Sequence, residues 1–340
     1  MRILFDIGHP AHVHLFRNFI NYLKENGVEI VVVSRDKEIT NLLLDHFRIN
    51  YFSLSKQSKG LGNMFFELLS RDWNIFKLHW KSNFIFAFGT SVSIGHLSAF
   101  SKVKSFNFNE DDDDIVPLYA KIAYPFSTKI VVPSCLEFRK WKQKRVIHNS
   151  YHELAYLHPN NFTPDLSILK KYNLQPDTYI ITRFSSLEAH HDIGIKGISK
   201  SLWVKIEEVI KGIPLISSVE NRKTHDIDPW DMHHVLAFAG MVISDSQTMS
   251  AEAAVLGIPS IRINSFARQI GYLKELEFKY ELTKSFLPEE EEEILAYISL
   301  LINNGFEKQL FKKNRELMLS EKVDLNKWMI DYYKEQLEKL

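Results

Sequence analysis

The chain opens on an alternation of apolar runs and amphipathic stretches. Residues 2–7 are almost wholly apolar, a polar turn follows from Gly8 to His14, residues 15–25 place apolar side chains at helical spacing, and residues 29–34 return to a β-branched run. Runs of this kind are too apolar to face water on either side, so the spacing predicts buried parallel strands covered by helices. Further strands are predicted at 51–54, 84–88, 104–108 and 129–133, with helix-compatible segments between them. Together they make one complete α/β layer structure.

The pattern breaks over 145–165, where Asn149, Pro159, Asn160, Asn161 and Pro164 interrupt any long period and predict a linker. It then restarts, strand-like at 179–182, 214–218, 241–244 and 260–263 and helix-like at 200–211, 231–239 and 248–256. From Pro288 onward the chain reads as helical, with the acidic run 289–293 near a helix start, where negative charge complements the helix dipole. The expected fold is α/β, with two Rossmann-like domains, 1–158 and 159–322, facing across a cleft. A C-terminal helix over 323–340 is expected to return to the first domain. Two domains also suit a chain of 340 residues.

Composition narrows the function classes. Lys plus Arg equals Asp plus Glu at 42 each, which gives no electrostatic reason to expect nucleic acid as a partner. At 45% hydrophobic and 25% charged residues the chain is globular rather than disordered. The single cysteine, Cys135, excludes an internal disulfide and a multi-cysteine metal site and fits a reducing compartment. The opening apolar run lacks the length and cleavage site of a signal peptide, and no stretch approaches the roughly 18–20 apolar residues that span a bilayer. A cytoplasmic protein is expected. One segment adds a membrane question: Phe65-Phe66-Glu67-Leu68-Leu69 and the stretch from Trp73 to Trp80 are rich in bulky apolar groups, with Arg71, Lys77 and Lys81 among them. Peripheral attachment to the inner membrane surface and a buried amphipathic helix both account for it.

The most informative segment for chemistry runs from Val242 to Pro259. A buried strand ends at Ser244, small hydroxyl residues fill the turn, and a helix starts near Thr248 and stops at Gly257 before Pro259. Free amides at that helix start, with Ser246 and Thr248 beside them, form a cradle for a diphosphate. Glu252, one turn on, carries a carboxylate able to accept both hydroxyls of a ribose. The plainer reading is that Asp245, Ser246 and Thr248 cap the helix and Glu252 solvates its face. On the ribose reading, Glu252→Ala abolishes a UDP-dependent thermal shift and leaves the melting point of the free protein nearly unchanged.

Three further constellations follow predicted strands. The turn Gly8-His9-Pro10-Ala11-His12-Val13-His14 lies at the carboxyl edge where α/β sheets bind ligands, and three histidines there are not expected in a core. Metal binding by His9, His12 and His14 is the alternative use. Thr182-Arg183-Phe184-Ser185-Ser186 continues through His190-His191-Asp192 to Gly194 and Gly197. Arg183 can give a phosphate two parallel hydrogen bonds, and His191 with its neighbours could act on sugar or diphosphate or simply form a loop network. Asn109-Glu110-Asp111-Asp112-Asp113-Asp114 offers carboxylates that could deprotonate an acceptor hydroxyl, or a solvated loop. Gly89-Thr90-Ser91-Val92-Ser93 could bind acceptor or phosphate, or serve only as a tight turn.

The segment around Ser246 resembles the nucleotide-sugar signature of the glycosyltransferase-B superfamily. It is similar, without gaps, to the Asp-Ser-Gly-Gly-x-x-x-Glu pattern of the UDP-N-acetylglucosamine 2-epimerases, and less closely to the peptidoglycan N-acetylglucosaminyltransferase. That resemblance implies phosphate contacts from Ser246 and its neighbours Gln247 and Thr248 and a ribose contact from Glu252; Ser185, beside Arg183, is a further candidate for binding the donor. Gln247 and Thr248 stand where those relatives place glycines, so side chains replace part of the backbone contact. The first loop is similar to that of the peptidoglycan transferase, with His12 at its histidine, although Pro10 and Ala11 interrupt the glycine run. From the first loop through Glu153-Leu154-Ala155-Tyr156-Leu157 and Arg183-Phe184 to Ser246-Gln247-Thr248-Met249, the chain resembles a prokaryotic family known mainly as a domain of unknown function. That family is grouped with glycosyltransferase-B proteins and often met among surface-polysaccharide genes.

The function these features imply is transfer of a sugar from a nucleotide sugar, UDP the expected base, to a surface-polysaccharide or lipid-linked acceptor. No metal ion and no cofactor beyond the donor is expected. His12 or Asp111 would take the acceptor proton while Arg183 and the helix amides stabilise the leaving diphosphate. The alternatives are a UDP-sugar 2-epimerase or hydrolase, with His190, His191 and Asp192 as acid and base, and a non-catalytic nucleotide-sugar-binding protein.

Overall fold

Among the described residues, twelve strands and their helices build two parallel sheets. The computed structural model describes residues 1–56, 61–184, 197–219 and 227–340. The first sheet contains β1 (Arg2–Ile7), β2 (Glu29–Asp36), β3 (Tyr51–Lys56), β4 (Phe86–Gly89), β5 (Lys104–Phe108), β6 (Lys129–Pro133) and β7 (Arg145–His148). Between them lie α1 (Pro10–Glu25), α2 (Glu38–His46), α3 (Leu61–Ser82), α4 (Val92–Ala99) and α5 (Pro117–Ala123). In the second half α6 (Ile168–Lys171) precedes β8 (Ile180–Phe184), α7 (Lys200–Val209), β9 (Leu215–Val219), α8 (Met232–Leu236), β10 (Met241–Ser244) and α9 (Gln247–Leu256). Then come β11 (Ser260–Ile263), α10 (Gly271–Lys274), β12 (Thr283–Phe286), α11 (Glu291–Asn303), α12 (Lys308–Glu321) and α13 (Leu325–Leu337). The chain divides into two compact units, Met1–Tyr156 with Val323–Leu340, and Leu157–Lys322.

In the first unit the strand order is β3-β2-β1-β4-β5-β6-β7, so the winding reverses between β1 and β4. Those central strands are the most apolar because helices cover both of their faces. Phe5, Phe88 and Phe106 sit in register on β1, β4 and β5 and stack, at 5.4 and 4.9 Å between ring centroids. Phe16 and Phe19 of α1 close edge-on over Phe5, and Tyr333 of α13 meets Phe19 at 5.9 Å. Gly89 is required by this packing: a Cβ there would lie 2.7 Å from the carbonyl oxygen of Asp6 on the neighbouring strand.

The second unit has the order β12-β11-β10-β8-β9, and its winding reverses between β8 and β10. Ligands of open parallel sheets bind outside the carboxyl ends of the strands at such reversals.

Three differences from the expected elements have local causes. Helix α1 starts at Pro10, not Leu15, because proline is pre-shaped for the first helical position and His9 caps it, its Nδ1 accepting from the Ala11 amide. Residues 145–148, expected within the linker, pair with β6 as an edge strand, and β12 is an edge strand as well. Edge strands need not be apolar on both faces, so Arg-Val-Ile-His and Thr-Lys-Ser-Phe carry no strong signal.

Candidate functional site

In the second unit Arg183, the last residue but one of β8, stands in register beside Ser244, the last of β10, at the reversal of the sheet. The turn that follows is tied down at several points. Ser244 Oγ donates to the Arg183 carbonyl at 2.6 Å and accepts the Ser246 amide at 2.9 Å; the Asp245 amide donates to the same carbonyl at 3.3 Å, and Asn264 Nδ2 donates to the Asp245 carbonyl at 2.9 Å. Gly197 belongs to this arrangement, because a Cβ there would come within 2.9 Å of Asp245 Oδ2.

Ser246 is the N-cap of α9, its Oγ accepting from the Met249 amide. Gln247 and Thr248 open the helix half-exposed, at positions whose amides an α-helix leaves without intrahelical partners. The capping reading is thus observed directly, and the first-turn amides lie beside the cap. Gly257 closes the helix at φ 75°, a conformation that favours glycine.

Glu252 departs from its plainer expectation. It is buried, not solvating the helix face, and its Oε1 lies 3.0 Å from Nε2 of His233 on α8, which is buried too. This corrects the expectation that Glu252→Ala leaves the free protein nearly unchanged. The pair leaves no local trace in the sequence because the two residues stand nineteen positions apart on different helices.

In the first unit, the sheet reverses beneath His12, which lies in the first turn of α1. Its Nδ1 accepts the Gly8 amide at 3.4 Å and lies 2.7 Å from Thr90 Oγ1, across the β1–β4 reversal. Burial, and next the neighbouring His9 and His152, hold the His12 pKa well below the usual imidazole range, so the ring is neutral at physiological pH. His152 is buried close by, with Nδ1 3.1 Å from Glu110 Oε2, and burial pushes its pKa down to about 3. The sequence reading did not single out His152 or Glu110 as a pair.

His14, by contrast, is a core residue: its ring packs 5.3 Å from Tyr156 and edge-on to Phe47. Its placement corrects the expectation that none of the three loop histidines belongs to the core. Among the described residues no group of three or more His, Cys, Asp or Glu side chains is arranged to hold a metal ion.

The acidic run after β5 is not uniformly solvated. Asp112 accepts the Glu137 amide at 2.7 Å, and Asp113 accepts the amides of Arg139 and Lys140, so both are buried braces for the 137–140 loop. Asp114 is exposed and pairs with Arg139. Asp111 is left as the acid–base candidate: burial, then the charge of Asp112, raise its pKa to about 6. Beneath this edge Asp6 receives the Ser91 hydroxyl and pairs with Arg71, both members of the ion pair being buried. Arg71 thus points inward, away from the basic residues with which its sequence position groups it. Ser185, His190, His191 and Asp192 lie outside the described residues.

Solved structures with the same architecture cover nearly the whole chain. The S. aureus MnaA–UDP structure matches at a TM-score of 0.71 and 12% identity, over 100% of this chain and 97% of that one. UDP-GlcNAc 2-epimerase from Neisseria meningitidis, bound to UDP-GlcNAc, matches at 0.71 and 12%, over 98% and 100%. A glycosyltransferase from Rickettsia africae matches at 0.57 and 15%, over 100% and 99%. The fold is accordingly glycosyltransferase-B-like, two parallel-sheet α/β domains. No curated protein matches the chain. In sequence, residues 1–270 match a family model described as "Protein of unknown function (DUF354)", and the chain belongs to that family.

Proposed function

We propose that the protein is a metal-independent glycosyltransferase that moves a sugar from a UDP-sugar to a hydroxyl of a glycan or lipid-linked acceptor. The observation that carries this reading is the buried Glu252 carboxylate, aimed by His233 one turn inside a helix whose capped start adjoins Arg183. A buried carboxylate with its partner already in place is suited to accepting ribose hydroxyls, and the first-turn amides of Gln247 and Thr248 suit the diphosphate.

In the reaction the bond between the sugar's anomeric carbon and the diphosphate oxygen breaks, and a bond from the acceptor oxygen forms. The diphosphate leaves with the electron pair, its growing charge met by the Arg183 guanidinium and the α9 amides. The acceptor proton passes to a general base. Two groups qualify: the His12 imidazole, whose pKa burial lowers and whose Nδ1 stands 2.7 Å from the Thr90 hydroxyl, and Asp111, whose pKa is raised to about 6.

Incubation with UDP-sugars in the presence of a chelator tests this. Transfer predicts UDP release that depends on added acceptor and survives chelation. A new sugar nucleotide formed without acceptor would establish the epimerase instead, acceptor-independent UDP release the hydrolase, and a thermal shift without any turnover a binding protein.

A further inference from the structure

Helix α3 carries a surface that the proposed reaction does not use. Phe66, Leu69, Trp73 and Trp80 recur at intervals that place them on one face of a helix, and they are 70%, 49%, 53% and 64% exposed. Trp73 and Trp80 meet edge to face at 5.6 Å, so the side chains form a continuous stripe, not isolated apolar spots. From Phe66 to Trp80 the stripe is about 21 Å long at the helical rise. The opposite face, with Ile75 and Arg71, is buried.

The charges of the helix are sorted in the same way. Its two acids turn inward: Glu67 pairs with Arg35 at 2.9 Å and accepts the Ser55 hydroxyl, and Asp72 pairs with His96 at 2.6 Å. Its two lysines, Lys77 and Lys81, are exposed along the aromatic stripe, Lys77 Nζ lying 5.3 Å over the Trp73 ring. The outward face of α3 is therefore aromatic and cationic, with no exposed carboxylate among its described residues.

We propose that this face is a docking surface for an anionic lipid bilayer. Indole rings favour the headgroup boundary, where an apolar body and a polar N–H are both satisfied, and lysines beside them attract anionic headgroups. The helix lies on the surface and does not cross it: no helix among the described residues is long and apolar enough to span a membrane. A protein partner would be expected to reward carboxylates as well as lysines at the rim, whereas a bilayer selects one sign of charge.

Co-sedimentation of the full chain with vesicles tests the proposal, using phosphatidylcholine alone and in equal parts with phosphatidylglycerol. The wild type binds the mixed vesicles, more weakly as salt rises, and binds phosphatidylcholine at least tenfold less. Lys77→Ser/Lys81→Ser weakens binding about 25-fold, roughly fivefold per lysine. Trp73→Ser/Trp80→Ser weakens it by more than tenfold, while both variants keep the wild-type melting point because the replaced groups are mostly exposed. Failure of the wild type to bind mixed vesicles overturns the proposal, as does equal binding to both vesicle types or by all three proteins. Self-association in sedimentation velocity that disappears in the tryptophan variant, without vesicle binding, would assign the stripe to a second copy of the chain.

Discussion

Replacing Glu252 in two ways separates its part in the fold from its part in binding. Glu252→Ala removes the carboxylate 3.0 Å from His233 and leaves a buried imidazole without that partner. Losing one hydrogen bond to a charged group costs about 1.5–3 kcal/mol, which for a unit of this size lowers the melting point by roughly 3–12 °C. Glu252→Gln keeps an oxygen that can accept from His233, so its cost stays below about 1 kcal/mol. Binding responds differently, because a neutral amide replaces a charged acceptor of two ribose hydroxyls. Exchanging charge-assisted for neutral hydrogen bonds weakens UDP at least about tenfold, and the alanine variant loses about 10- to 150-fold. Scanning fluorimetry gives the melting points, and titration calorimetry with UDP and its 2′-deoxy analogue gives the affinities. A glutamine variant that binds UDP like the wild type, with equal discrimination against the deoxy analogue, refutes the ribose assignment. An alanine variant with an unchanged melting point refutes the pairing.

The first unit yields three more predictions. His12→Gln should lower kcat by about 100- to 10,000-fold with the donor KM unchanged, the signature of a lost proton acceptor in steady-state kinetics. Because the Asp111 pKa is raised, the folded state holds that proton more tightly than the unfolded chain does; the associated stability is present below about pH 4 and lost as pH rises through about 6. Asp111→Asn should therefore gain stability relative to the wild type between those pH values and hold the gain above them, and a flat difference in urea unfolding across that range would contradict the raised pKa of Asp111. Arg71→Ala strands the buried Asp6 and should cost about 3–5 kcal/mol in urea unfolding, whereas a loss within 1 kcal/mol would show that the pair is solvated.

Much of the sheet was legible along the chain. Strands β1, β5, β6, β10 and β11 stand at their expected residues, because central strands of a parallel sheet are buried on both faces and leave unbroken apolar runs. The end of β10 and the capped start of α9 were legible for a different reason: Ser246 and Gly257 are local start and stop signals that need no distant partner. Long-range pairing left no such trace. Asp112 and Asp113 look like a solvated acidic loop until the loop at 137–140 brings its amides to them, and Arg71 looks like a surface cation until α3 turns it toward Asp6.

By itself, then, the order of apolar runs, turn residues and helix caps determined the α/β class, the positions of the central strands and the helix start at Ser246, since each depends on solvent exclusion or backbone geometry within a few residues. Only the tertiary structure decided which polar side chains are buried and what they face: Glu252 against His233, His12 against Thr90, His14 in the core. The hydrophobic period records whether a position avoids water, but the partner that makes a buried charge or imidazole tolerable is supplied by another strand or helix, and no local pattern encodes it.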